Sequence, residues 1–107
     1  MTDREMLKFA AKAMGYDDAE WDEEGRCIVT AKLPGFRCFW NPLTDDGDCA
    51  RMESELGIGI EWLSTGVVSR IWASSRAEYY HDHNGDKNAA RRMASCMVAA
   101  QIGRDME

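Results

Sequence analysis

The sequence predicts an α+β domain: an antiparallel sheet of about five strands with helices packed mainly on one face, in the order αββαβββα. Three observations predict it. Apolar residues recur at helical spacing near both ends, at Met6, Phe9, Ala10, Ala13 and Met14 and again at Ala90, Met93, Ala94, Met97 and Ala100. Between them lie a β-branched run, Cys27-Ile28-Val29-Thr30, and an alternating one, Ile58, Ile60 and Trp62. These strands come in consecutive pairs joined by turn residues, which favours antiparallel pairing. The 107 residues suit a single domain spanning 1–107, and 45% hydrophobic content with four tryptophans is enough for one core.

The first helix is read over residues 3–14. Thr2-x-x-Glu5 is a capping box, in which each side chain satisfies a free backbone N–H, and Gly15 ends the helix. An acidic linker, 17–24, surrounds Trp21. Residues 26–40 then read as a β-hairpin, with Pro34-Gly35 at the central positions of a type II turn. Asn41-Pro42 breaks the second strand. Thr44 or Asp45 can cap a second helix, whose apolar stripe is Cys49, Met52 and Leu56 and whose end is Gly57. Strands follow at 58–62, 67–73 and 77–81, and Trp62 and Trp72 are expected to be buried in them. Asn84-Gly85 turns the chain, and the final helix runs from about 87 to 103.

The net charge of −6 argues against a duplex-coating or membrane-surface protein, because both need a basic footprint. No direct nucleic-acid binding and no membrane association are expected. The charged opening, Thr2-Asp3-Arg4-Glu5, does not read as a secretory signal, so a cytoplasmic location is expected. Cys27, Cys38, Cys49 and Cys96 lack any Cys-x-x-Cys spacing and read as small buried thiols rather than disulfides or zinc ligands. Seven methionines suit an adaptable core or contact surface.

Three constellations carry candidate chemistry. His81-x-His83 on an extended segment, with Asp86 nearby, places two imidazoles on one side as metal ligands, although a catalytic zinc usually needs a third. Asp82-x-Asn84-x-Asp86 echoes a calcium loop, but Lys87 and Met93 stand where glycine and the bidentate glutamate belong. Asp45, Asp46 and Asp48 could ligate magnesium, yet capping and the helix dipole explain all three. No serine lies in a Gly-x-Ser-x-Gly context and no glycine-rich phosphate loop occurs, so no catalytic residue and no cofactor are expected. Tryptophan anchors interfaces, and Trp21 and Trp40 occupy positions where partial exposure is easy. The expected partner-binding residues are therefore Trp21 with Glu20, Asp22, Glu23 and Glu24, and Trp40 with Asp45, Asp46 and Asp48.

The block Phe39-Trp40-Asn41-Pro42-Leu43-Thr44-Asp45-Asp46-Gly47-Asp48, followed by Arg51-Met52, resembles small accessory proteins of tailed phages and prophages. The opening Thr2–Glu5 with its Ala10–Gly15 helix end, and the closing Ala89-Ala90-Arg91-Arg92 through Gly103, are similar to the same proteins, which are loosely NinX-like. The resemblance implies expression in the cytoplasm of a bacterial host. It also implies a non-enzymatic protein that binds a host or phage protein, a nucleic-acid-handling one among the options, with inhibition of host defence as one such role. A homo-oligomer is compatible with it. Two other readings come from the residues: a nucleotide-signal sponge with its pocket near Trp40, Asp45–Asp48 and the last helix's arginines, and a metal-dependent enzyme using His81 and His83.

Overall fold

The computed structural model describes residues 1–71 and 74–106, with the backbone alone for 74–76. The elements are α1 (Asp3–Ala13), β1 (Glu20–Asp22), β2 (Cys27–Val29), β3 (Phe39–Trp40), α2 (Asp46–Leu56), β4 (Ile58–Trp62), β5 (Gly66–Ile71), β6 (Ser74–Asp82) and α3 (Lys87–Asp105). Among the described residues the strands form two antiparallel sheets of three, ordered β1-β2-β3 (sheet A) and β4-β5-β6 (sheet B). The α+β class holds, but the single sheet of about five strands does not.

Two local causes divide the sheet. First, the acidic linker contains a strand: Trp21 pairs with Ile28, which pairs in turn with Trp40, so one inward row crosses sheet A. Second, β3 stops at Asn41-Pro42, where proline has no N–H to continue a ladder, and the chain turns directly into α2. The hairpin at 26–40 forms with shorter strands than its expected span, and Gly35 takes the left-handed φ of +74° that its turn requires.

The helix ends obey their sequence signals. Thr2 and Glu5 close the capping box, with the Glu5 N–H donating to Thr2 Oγ1 at 3.1 Å. Asp45 caps α2 by accepting from the Asp48 N–H at 2.7 Å, and Gly57 ends it with φ +70°. Asp86 caps α3 by accepting from the Ala89 N–H at 3.0 Å, just after the Asn84-Gly85 turn, where both residues have positive φ.

Each sheet is covered on one face by a helix. α1 packs on sheet A, α3 packs on β5 and β6, and α1 and α3 pack on each other. This makes α3 a central helix rather than an outer brace. Ala90, Ala94, Ser95, Cys96, Val98, Ala99, Ala100 and Gly103 are all buried, on more than one side. The small residues let α1 and α2 approach closely. Gly103 is the extreme case, since a Cβ there would run into the Phe9 carbonyl of α1.

Trp62, expected to be buried, is 50% exposed. It ends β4 next to the Ser64–Thr65 turn, and its ring lies 5.9 Å from that of His83. The expected burial of Trp72 concerns a position outside the described residues.

Gly103→Ala tests the helix crossing. In an open helix this change stabilises by up to about 1 kcal/mol. Here it is expected to destabilise by about 1–3 kcal/mol through overpacking, read as a lower urea midpoint with an unchanged slope.

Candidate functional site

The Trp40–Asp48 block is a structural joint. Trp40 is 1% exposed, and Tyr16 meets its ring edge-on at 5.4 Å. Asp48, 2% exposed, reaches back from the first turn of α2. One of its oxygens accepts from the Asn41 N–H at 3.0 Å, and the other accepts from Arg37 Nη2 at 2.9 Å and Arg51 Nη2 at 2.7 Å. Burial by itself would raise its carboxyl pKa, but the Asn41 N–H and the two guanidiniums outweigh that and hold it below the usual carboxylate value.

Asn41 completes the joint. Its Oδ1 accepts from the Leu43 N–H at 3.1 Å and its Nδ2 donates to the Arg26 carbonyl at 3.1 Å. That second bond steadies a residue held at φ +50°, which is uncommon for a side chain other than glycine. The expectation of Trp40 and Asp48 as partner contacts is thus corrected: both are interior, because the short β3 and the cap of α2 close over them. Asp45 and Asp46 are exposed, but Asp45 caps the helix and Asp46 accepts from Arg92 Nη1 at 2.6 Å.

A second buried polar chain joins α2, α3 and β5. Glu53 takes a bidentate guanidinium from Arg91 and the Ser95 hydroxyl at 2.6 Å, and Ser95 touches the Ser69 hydroxyl at 3.0 Å. Arg92 also donates to the Leu43 carbonyl at 2.8 Å. Two of the last helix's arginines, near which a nucleotide pocket was expected, are therefore engaged with protein groups. Beside Glu53, burial and the carboxylate's charge push the Cys49 thiol up to about 12, and burial pushes Cys96 well above its ordinary value. Neither is a nucleophile at neutral pH.

The metal expectation finds little geometric support. His81 Nδ1 lies 2.7 Å from the Asp82 carbonyl oxygen, His83 lies past the end of β6 beside Trp62, and Asp86 is the cap of α3. Among the described residues no three His, Cys, Asp or Glu side chains gather as metal ligands.

The acidic segment is folded rather than loose. Asp18 accepts from the Thr30 hydroxyl and, at 2.7 Å, from the Ala31 N–H. Asp22 accepts from the Gly25 N–H at 2.7 Å, and Trp21 Nε1 donates to Glu23 at 2.8 Å. Trp21 lies on the core side of the pleat and is half-buried. Glu20, Glu23 and Glu24 remain exposed.

Register defines the surface that results. In a pleated sheet alternate residues face opposite sides, so the row behind Trp21–Ile28–Trp40 is Glu20–Val29–Phe39, with Asp22–Cys27 next to it. Phe39 is 55% exposed and Val29 half-buried, and Phe36 stands fully exposed in the adjoining loop. Sequence reasoning placed the acids here but missed Phe36 and Phe39. The alternation Phe39-out, Trp40-in was the signal that could have found Phe39. A separate cleft of about 480 Å³ opens between the end of α1 and residues 15–19, lined by Lys8, Lys12, Tyr16, Asp17 and Ala19 with Met106 at its rim. None of the predicted contact residues lines it.

Compared with known proteins, the chain matches no family model, no curated protein and no solved structure.

Two outcomes check the interior assignments. Asp48→Asn is expected to cost about 2 kcal/mol at pH 7, since it weakens charge-assisted bonds and alters a buried acceptor. Because the folded pKa of Asp48 lies below its unfolded value, its contribution is full above about pH 4 and fades as pH falls through the folded pKa. Urea titrations at falling pH should accordingly show the two proteins converging in acid. Thiol labelling should modify exposed Cys38 in the native protein, and Cys49 and Cys96 only on unfolding.

Proposed function

We propose that this is a non-enzymatic accessory protein of phage or prophage type, which binds another protein through the solvent face of sheet A. One observation carries the reading: the exposed Phe39 and half-buried Val29 share a cross-strand row with Glu20, Asp22 flanks that row on the same face, and Glu24 is exposed in the turn beyond β1. An apolar centre with a charged rim is the usual anatomy of a protein-binding patch. Its sign selects a partner with an apolar pocket ringed by lysine and arginine, such as a nucleic-acid-handling protein of the host. The acids speed encounter and set orientation, and Phe39 with Phe36 supplies the buried contact. Blunting a host defence is the role that the phage resemblance favours, and the bacterial cytoplasm is where it would act.

The experiment is affinity capture from an infected host, with mass spectrometry, using four forms of the protein. A true partner is held by the native protein and by a control reversed at Glu55, an exposed acid of α2 away from sheet A. It is lost from Phe39→Ala and from the charge reversal Glu20→Lys, Glu24→Lys, and its capture weakens as salt rises. A partner kept by both sheet A variants removes this face from consideration.

A further inference from the structure

We propose that the outer edge of β6 is a self-association site, where a second copy of this chain adds its own β6 antiparallel and joins the two B sheets into one. This goes beyond the sheet A reading and does not depend on it.

The backbone pattern establishes which groups are offered. The Leu63 N–H donates to the Gly66 carbonyl at 2.8 Å and the His83 N–H to the Thr65 carbonyl at 3.0 Å. Antiparallel ladders alternate between hydrogen-bonded and non-bonded pairs. Counting from those two bonds through the register, Val67↔His81 and Ser69↔Tyr79 are hydrogen-bonded pairs. Tyr79 and His81 therefore direct their backbone groups to β5. Glu78, Tyr80 and Asp82 direct theirs out of the sheet.

That edge is open. β6 packs on β5 along one edge and on α3 across one face, and Glu78, Tyr80 and Asp82 are all exposed. Natural monomers guard such edges with proline, lysine or a very short strand. Ser74–Asp82 contains neither residue, and its register shift lies before Glu78, which leaves Glu78–Asp82 as a regular stretch of edge. The Glu78 carboxylate is ion-paired to Arg70 of β5 at 3.2 Å, which offsets its repulsion of a neighbour.

A second copy fits because a strand paired with itself about a two-fold axis presents matching donors and acceptors. Keeping both α3 helices on one side of the joined sheet limits the register to pairs of equal parity. Centring the axis on Tyr79 sets Glu78 opposite Tyr80, with their outward N–H and C=O groups exchanged. It also brings the two Tyr79 residues together at a non-bonded position, where side chains lie closest and aromatic pairs gain most. Moving the axis to Tyr80 sets Glu78 against Asp82, and moving it to Glu78 sets that residue against itself. Both put like charges face to face, so Tyr79 is the favoured centre.

The test combines sedimentation equilibrium with amide hydrogen exchange on the full chain. The native protein is expected to dimerise with a Kd below ~1 mM. The Tyr80 and Glu78 amides should become protected as concentration rises, whereas Tyr79 and His81 are protected throughout. Tyr80→Glu faces Glu78 of the other copy twice and should weaken the dimer roughly tenfold or more, while Tyr80→Thr, which removes the same ring without adding a charge, should keep it. A monomer at ~1 mM, concentration-independent exchange at Tyr80, or equal effects of the two folded variants would each overturn the proposal.

Discussion

Helix α3 must be covered on several sides, and the rest of the molecule is arranged to do it. Half of its buried residues are alanine, and the rest are Ser95, Cys96, Val98 and Gly103. Small side chains bury little apolar area apiece, so the gain comes from backbones packed close together. The approach of Phe9 to Gly103 is where α1 comes nearest. Sheet B takes one flank, α1 another and α2 a third, and sheet A then reaches the core by way of α1. Three contacting elements around a thin helix give a 107-residue chain a continuous core without disulfides.

Polar groups register these layers. Asp48 binds α2 to the end of β3 and to the loop bearing Arg37, and Glu53 binds α2 to Arg91 and Ser95 of α3. Each is a buried acid with partners from other elements, Arg51 of α2 being the local exception, so a slip of α2 would leave a charge short of partners in the interior. Apolar packing alone would tolerate such a slip more easily. Arg92, bridging the Leu43 carbonyl and Asp46, holds the same helix at its start. The joint explains why so polar a stretch of sequence has so little surface.

What remains outside is divided by sign and shape. The face of sheet A pairs aromatic and aliphatic groups with carboxylates, whereas the cleft beside α1 has Lys8 and Lys12 over a mainly apolar floor. Sheet B shows solvent a face crossed by Arg70, which bridges Glu61 and Glu78, and a long outer edge. Reactive chemistry is absent from the interior thiols because burial keeps Cys49 and Cys96 protonated.

The local rules written in the sequence determined the elements. Thr2 and Glu5, Asp45, Gly57 and Asp86 mark helix ends because capping is settled by residues within one turn. Pro34-Gly35 and Asn84-Gly85 mark turns for the same reason. Tertiary structure alone decided the roles of these elements. Trp21 forms a strand within an acidic stretch because Ile28 and Trp40 lie across from it, and no neighbour in sequence announces that row. Trp40 and Asp48 are interior, and Trp62 is exposed, because burial depends on what arrives from elsewhere in the chain. The same holds for the division into two sheets. A ladder joins strands by hydrogen bonds between residues far apart, and periodicity carries no record of which partner wins.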